Sequence, residues 1–152
     1  MILYPPNNIA TRDFTKKSIF LAGTIDLGQS VDWQSEIGDW FMQLGNWNVF
    51  NPRRRDWDAS WLQEHHNPEF SQQVKWELNS MDKADIILMY FAPGSKSPIS
   101  LLELGMHLRS NKLHVVCPKG FYRKGNVDIV CEVFNVPLYE NFTKFKEYIV
   151  DL

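Results

Sequence analysis

Two cysteines in 152 residues are too few to staple a small disulfide scaffold, and Cys117 and Cys131 lack the paired spacing of a zinc ligand set. Both stand in apolar stretches, the setting of buried, reduced thiols, so a cytoplasmic location is expected. No apolar run approaches the ~20 residues a membrane-crossing helix needs. The opening Met1-Ile-Leu-Tyr-Pro-Pro has neither the basic region nor the apolar length of a secretion signal, so no membrane partner is expected. Excess charge is lacking too: Lys and Arg total 16 against 18 Asp and Glu, for a net charge of −2. Without a basic stripe to release counterions, binding to a nucleic-acid polymer is not expected. There is no internal repeat and no low-complexity tract.

What is present is an ordinary globular composition, 44% hydrophobic and 22% charged, long enough for one domain over residues 1–152 that buries about two-thirds of its unfolded surface. Apolar periodicity alternates between strand and helix, which predicts an α/β domain with a parallel sheet of about five strands covered on both faces. Strands are expected over residues 18–22, 47–50, 85–91 and 113–117, with a short one near Leu138. Helices are expected over residues 32–44 and 68–83, from Ser100, after Gly125, and from Phe142.

Within that frame two acidic residues are oddly placed. Glu103 follows the break Ala92-Pro93-Gly94 and the run Ser97-Pro-Ile-Ser-Leu-Leu, close to the carboxyl end of a predicted strand, where open α/β sheets bind ligands. Ser100-Leu-Leu-Glu103 also reads as a capping box, with Ser100 as N-cap, and this ordinary role competes with a chemical one. Glu77 borders the stripe Phe70, Val74, Leu78 and Met81, where a carboxylate loses water unless it faces a cleft or a partner.

Two loops add candidates. Gly23-Thr24-Ile25-Asp26 follows the first of these strands: Gly23 lets the backbone approach a ligand closely, Asp26 can accept hydrogen bonds from a base amino group or a sugar hydroxyl, and Thr24 between them is a substrate-binding candidate. Residues 51–67 exceed an ordinary connection and hold Arg53-Arg54-Arg55, Asp56, Trp57, Trp61, His65 and His66. Arginines there suit phosphate and an indole suits stacking, whereas a solvated charge run pinned by two core tryptophans is the alternative. The adjacent histidines have no metal-pair spacing, so neither metal nor cofactor is expected.

The ordered set Phe20-Leu-Ala-Gly-Thr24, Glu77-Leu-Asn-Ser-Met-Asp-Lys-Ala-Asp85 and Glu103-Leu-Gly-Met-His-Leu resembles the nucleoside 2-deoxyribosyltransferase family and its 2′-deoxynucleoside 5′-phosphate N-hydrolase relatives, over roughly residues 18–118. The resemblance implies a flavodoxin-like, Rossmann-like sandwich and a homodimer or larger homo-oligomer. It assigns Glu103 as the nucleophile that captures a sugar C1′, in exchange or hydrolysis of the N-glycosidic bond of a nucleoside or nucleotide. Glu77 stands where the family usually has aspartate, and it implies a supporting acid. Six residues before the nucleophile the family distinguishes substrates: an aspartate serves a free 5′-hydroxyl, a serine a 5′-phosphate. Ser97, beside Lys96 and with Ser100 after it, implies a phosphorylated substrate. Two other readings stay open, a glycohydrolase acting on NAD or an ADP-ribose-type nucleotide, and a catalytically idle nucleotide-binding protein.

Overall fold

A computed structural model describes residues 1–25 and 30–152. It is an α/β structure with a six-stranded parallel sheet in the order β1-β3-β2-β4-β5-β6 and five α-helices. In chain order the strands are Ile2–Leu3, Lys17–Gly23, Trp47–Phe50, Ile86–Tyr90, Leu113–Val116 and Leu138–Tyr139, numbered β1 to β6. The helices α1 to α5 are Trp33–Leu44, Pro68–Lys83, Pro98–His107, Lys124–Phe134 and Phe142–Val150. The extra strand relative to the sequence expectation is β1, two residues separated by Tyr4 from the proline pair Pro5-Pro6. Two residues show no period, so only the pairing of Ile2 and Leu3 with Val49 and Phe50 reveals them.

The chain divides into two compact units. The first holds residues 1–21 and 30–85. Its ladder pairs β1 with β3 and β3 with β2, all parallel, over a core of Ile19, Phe20, Phe41, Val49 and Phe50. Helix α1 starts because the Asp32 carboxylate accepts from Ser35 N at 3.0 Å, and it stops at Gly45 in the left-handed region. Helix α2 starts on Asn67, which accepts from Phe70 N at 2.9 Å, with Pro68 as its first residue. The Asp85 carboxylate accepts from both the amide and the hydroxyl of Ser18 at 2.7 Å, fixing the start of β2.

The inner face of α2 differs from the expected stripe. Gln73, Trp76, Ser80 and Met81 are buried, Phe70 and Val74 are half-buried, and Leu78 is 40% exposed. The rotation has a cause: the Trp76 indole donates to Asn7 O at 2.8 Å and the Gln73 amide nitrogen to Pro52 O at 2.9 Å, so directed hydrogen bonds occupy positions an apolar count assigns to hydrocarbon, while Gln73 Oε1 and Ser80 Oγ are buried without a hydrogen-bond partner.

The second unit holds residues 22–25 and 86–152. Here β4, β5 and β6 pair in parallel, with Ile87, Leu88, Met89, Val115 and Val116 fully buried. Asn141 caps α5 by accepting from Lys144 N at 3.1 Å. Cys117 and Cys131 are free and buried, and burial pushes each thiol up to about 11. Among the described residues no helix is long and apolar enough to cross a membrane.

Gly23, at the end of β2, is the tightest point of this unit. Its φ of 127° is open to glycine, and a Cβ there would collide with the backbone of Tyr90, whose amide nitrogen would lie 2.6 Å away. The close approach the structure shows at Gly23 is to the neighbouring strand β4, whereas the sequence expectation was of approach to a ligand. Gly23→Ala is expected to cost upward of about 2 kcal/mol, from a forbidden φ and a clash with backbone that cannot yield. A thermal midpoint equal to that of the parent chain would contradict this packing account.

Candidate active site

Two loops of the second unit meet at three hydroxyls. Thr24, just after β2, is held by its amide donating to Tyr90 O at 2.9 Å and by its Oγ1 accepting from Ala92 N at 3.0 Å. From there Thr24 Oγ1 lies 2.6 Å from Ser97 Oγ and 3.1 Å from Ser95 Oγ, and the two serine oxygens are 3.0 Å apart. All three residues are buried. Ser95 donates its proton to Ala92 O at 2.8 Å and so enters the triangle as an acceptor. If Ser97 donates along their shared edge, the Thr24 proton is left for Tyr90 O at 3.4 Å or for Ser95; if Thr24 donates, the Ser97 proton is left for Ser95 or for an incoming acceptor.

Ser97 pays for this position in backbone strain. It adopts φ 45° and ψ 53°, left-handed and immediately before Pro98, where helical conformations are already disfavoured; the cost is on the order of 1–3 kcal/mol. Such strain persists where surroundings over-determine it, and here the hydroxyl triangle does so. Ser97 is also the N-cap of α3 without capping it through its side chain. That corrects the capping-box expectation: α3 starts at Pro98, one turn earlier than a Ser100 cap requires, because proline at the first helical position costs no hydrogen bond. Ser100 lies inside the helix, so the Ser100–Glu103 cap does not account for Glu103.

Helix α3 buries polar residues and leaves much of its aliphatic surface outward. Ser97, Ser100 and Glu103 are buried on its inner side beside Leu104, Glu103 at 8% exposure, while Ile99, Leu102 and Met106 stand outward at 61%, 61% and 53%. A carboxylate and two hydroxyls buried in this way lower stability unless they are hydrogen-bonded.

In the first unit, Glu77 lies on the inner side of α2. Gln73, one turn earlier, donates to Glu77 Oε1 at 2.6 Å while the same amide nitrogen donates to Pro52 O. Gln73 is buried and fixes the carboxylate on a backbone anchor. Burial raises the Glu77 carboxyl to about 7, and the Gln73 hydrogen bond acts in the opposite direction. An acid with that affinity is half-protonated near neutrality, which suits proton transfer. Sequence reasoning missed Gln73; a glutamine four residues before a glutamate signals it only once the helix phase is known.

The 51–67 loop is tied largely to itself and its own unit. Arg54 pairs with Asp56 at 2.8 Å and lies 4.7 Å over the Trp61 ring, and Trp57 meets Trp61 edge-on at 5.2 Å. Arg53 pairs with Asp32 at 3.1 Å and donates to Gln34, and Arg55 stacks on Tyr4 at 4.6 Å. Asp56 is exposed, its carboxyl held below the usual range by Arg54. Asp26 lies outside the described residues.

The Glu77 geometry gives a sign for pH dependence. Its folded affinity for a proton exceeds the unfolded one, so between about 4.5 and about 7 the native state holds more protons and stability falls as pH rises. A full shift of this size corresponds to about 3 kcal/mol. Glu77→Gln, which retains an oxygen for Gln73, is expected to match the parent near pH 4.5 and exceed its thermal midpoint above pH 7. Parallel midpoint curves for the two proteins would contradict the burial cost assigned to Glu77.

Residues 16–121, well over half of the chain, match the family model described as nucleoside 2-deoxyribosyltransferase like. No curated protein matches the chain. The matched span takes in the hydroxyl triangle, Glu77 and Glu103, and the α/β architecture is the one the sequence motifs called for. The chain therefore belongs to the nucleoside 2-deoxyribosyltransferase-like family.

Proposed function

We propose that the protein breaks the N-glycosidic bond of a 2′-deoxynucleoside or its 5′-monophosphate through a covalent bond between Glu103 and the sugar. The observation that carries this reading is the burial of a carboxylate, Glu103, on the inner side of α3, a helix that starts at Pro98 and so makes no Ser100–Glu103 capping box. As the C1′–N bond breaks, its electron pair leaves with the base and positive charge grows on the sugar; the Glu103 carboxylate then bonds C1′. In this reading Glu77 supplies the proton to the departing base, supported by its family position and its raised proton affinity. Water or a second base then attacks C1′, releasing Glu103 and giving hydrolysis or exchange.

Ser97 is proposed to receive the 5′ end. Three clustered hydroxyls, with Ser97 free of helix-capping duty, support a phosphate, which accepts hydrogen bonds and would be repelled by a carboxylate at that place. Ser97→Asp is accordingly expected to lower kcat/KM for deoxynucleoside monophosphates while sparing free deoxynucleosides. An equal loss on both substrates would contradict the assignment.

The nucleophile is tested by Glu103→Gln. Turnover is expected to fall by roughly a thousandfold or more with substrate affinity and far-ultraviolet dichroism preserved, since the amide keeps the shape and loses the attacking anion. Turnover within a few-fold of the parent would remove Glu103 from the chemistry.

A further inference from the structure

Two loops of the second unit differ from the rest of the chain in charge. The chain carries a net charge of −2, yet residues 92–100 and 118–127, which follow β4 and β5, hold Lys96, Lys119, Arg123 and Lys124 and no carboxylate. The loops are locked together: Gly94 N donates to Gly120 O at 3.1 Å, the Phe91 and Phe121 rings lie 4.7 Å apart, and a Cβ on Gly120 would come within 3.1 Å of Pro93 Cβ. Lys119 thus stands one residue from a contact with the loop that carries Ser95 and Ser97. Lys124 is engaged, donating to Cys117 O at 3.0 Å and pairing with Asp128 at 2.9 Å and Glu140 at 3.3 Å. Among the described residues no carboxylate pairs with Lys96, Lys119 or Arg123, and all three are exposed. Arg123 lies 5.2 Å over the ring of the exposed Tyr122 and opens α4, where the positive end of the helix dipole disfavours a cation. Helix stability does not account for these charges, and an anion does.

We propose that these loops hold a second phosphate, joined to the 5′-phosphate by an anhydride bond, so that the substrate is a nucleoside 5′-di- or triphosphate or a dinucleotide with the same pyrophosphate. The proposal rests on the reading that Ser97 receives the 5′ end, and extends that site outward. The hydroxyl triangle can donate to a first phosphate but, being neutral, leaves its charge in place. A 5′-monophosphate brings a charge of about −2 near neutral pH, and a second phosphate takes the total to about −3, which Lys96, Lys119 and Arg123 together match. Arg123 offers a planar fork to two phosphate oxygens, and Lys96 and Lys119 act as point charges. The positive charge is confined to two loops of a chain of net charge −2, which suits one small anion and not a polymer of phosphates. The anhydride bond stays intact: the second phosphate lies away from C1′ and contributes to affinity and orientation.

The first test reads binding instead of turnover, so it does not depend on Glu103 being the nucleophile. Titration calorimetry of the full chain, without divalent cations, compares inorganic phosphate with inorganic pyrophosphate. Pyrophosphate is expected to bind roughly tenfold or more tightly than phosphate, from the added charge-assisted contacts. Lys119→Ser and Arg123→Ser are each expected to weaken pyrophosphate roughly fivefold or more, and phosphate by less. Serine is a favoured N-cap residue, so Arg123→Ser is expected to keep or raise the thermal midpoint, which separates lost binding from lost folding. Lys144→Ser removes the same charge from α5 and should leave both affinities unchanged. Equal affinity for the two anions, or a loss in Lys144→Ser equal to that in the loop variants, would overturn the proposal. In steady-state kinetics a higher kcat/KM for deoxynucleoside triphosphates than for monophosphates identifies a nucleoside polyphosphate, and a higher value for NAD identifies a dinucleotide. Monophosphates preferred over both would overturn the proposal. Pyrophosphate binding that depends on Lys119 and Arg123, beside a Ser97→Asp chain that loses monophosphates and free deoxynucleosides equally, would sink the Ser97 reading alone.

Discussion

The burial of polar side chains along α3 is the constraint around which its surroundings are arranged. A helix lying on a sheet ordinarily turns aliphatic residues inward, and α3 leaves Ile99, Leu102 and Met106 outward. It turns Ser97, Ser100 and Glu103 inward beside Leu104. The phase of the helix is set at its start, where the left-handed Ser97 and the fixed φ of Pro98 aim the first turn. Thr24 and Ser95 hold Ser97 there by hydroxyl contacts of 2.6 and 3.0 Å. One strained residue thus directs a carboxylate inward and an apolar stripe outward. The polar side suits a ligand.

Glu77 reaches a comparable result by a different route. Its helix is anchored by two donors, the Trp76 indole on Asn7 O and the Gln73 amide nitrogen on Pro52 O. The carboxylate beside them loses water but keeps one strong donor, and its proton affinity rises to about 7. Buried groups with altered affinity collect at functional sites because chemistry near neutral pH needs acids and bases poised there. The long 51–67 loop spends its arginines on Asp32, Asp56 and Tyr4, so its charges act first as internal ties.

Much of the fold was legible in the sequence because its signals are long and periodic. Strands β4 and β5 and helices α1 and α2 fall where apolar runs and cap residues put them. The two-residue β1 was not legible, since nothing that short carries a period and its pairing partner lies far along the chain. The phase of α2 was misread because Gln73 and Ser80 were counted as polar and Leu78 as core, whereas specific hydrogen bonds decide that rotation. The family was legible from ordered motifs. The Ser95 contact, the strain at Ser97 and the loss of the Ser100 cap were not, because each depends on where a proline lets a helix begin.

The central claim is that Glu103 forms a bond to the sugar, and a 2′-fluorinated arabinonucleoside 5′-monophosphate tests it most directly. An electronegative group at C2′ destabilises positive charge on the sugar and slows breakdown of the covalent species, so that it accumulates. Mass spectrometry of the intact chain after brief incubation should show the added mass of one fluorosugar phosphate, and peptide mapping should place it on Glu103. Base release with no adduct, or an adduct on another residue, would contradict the account.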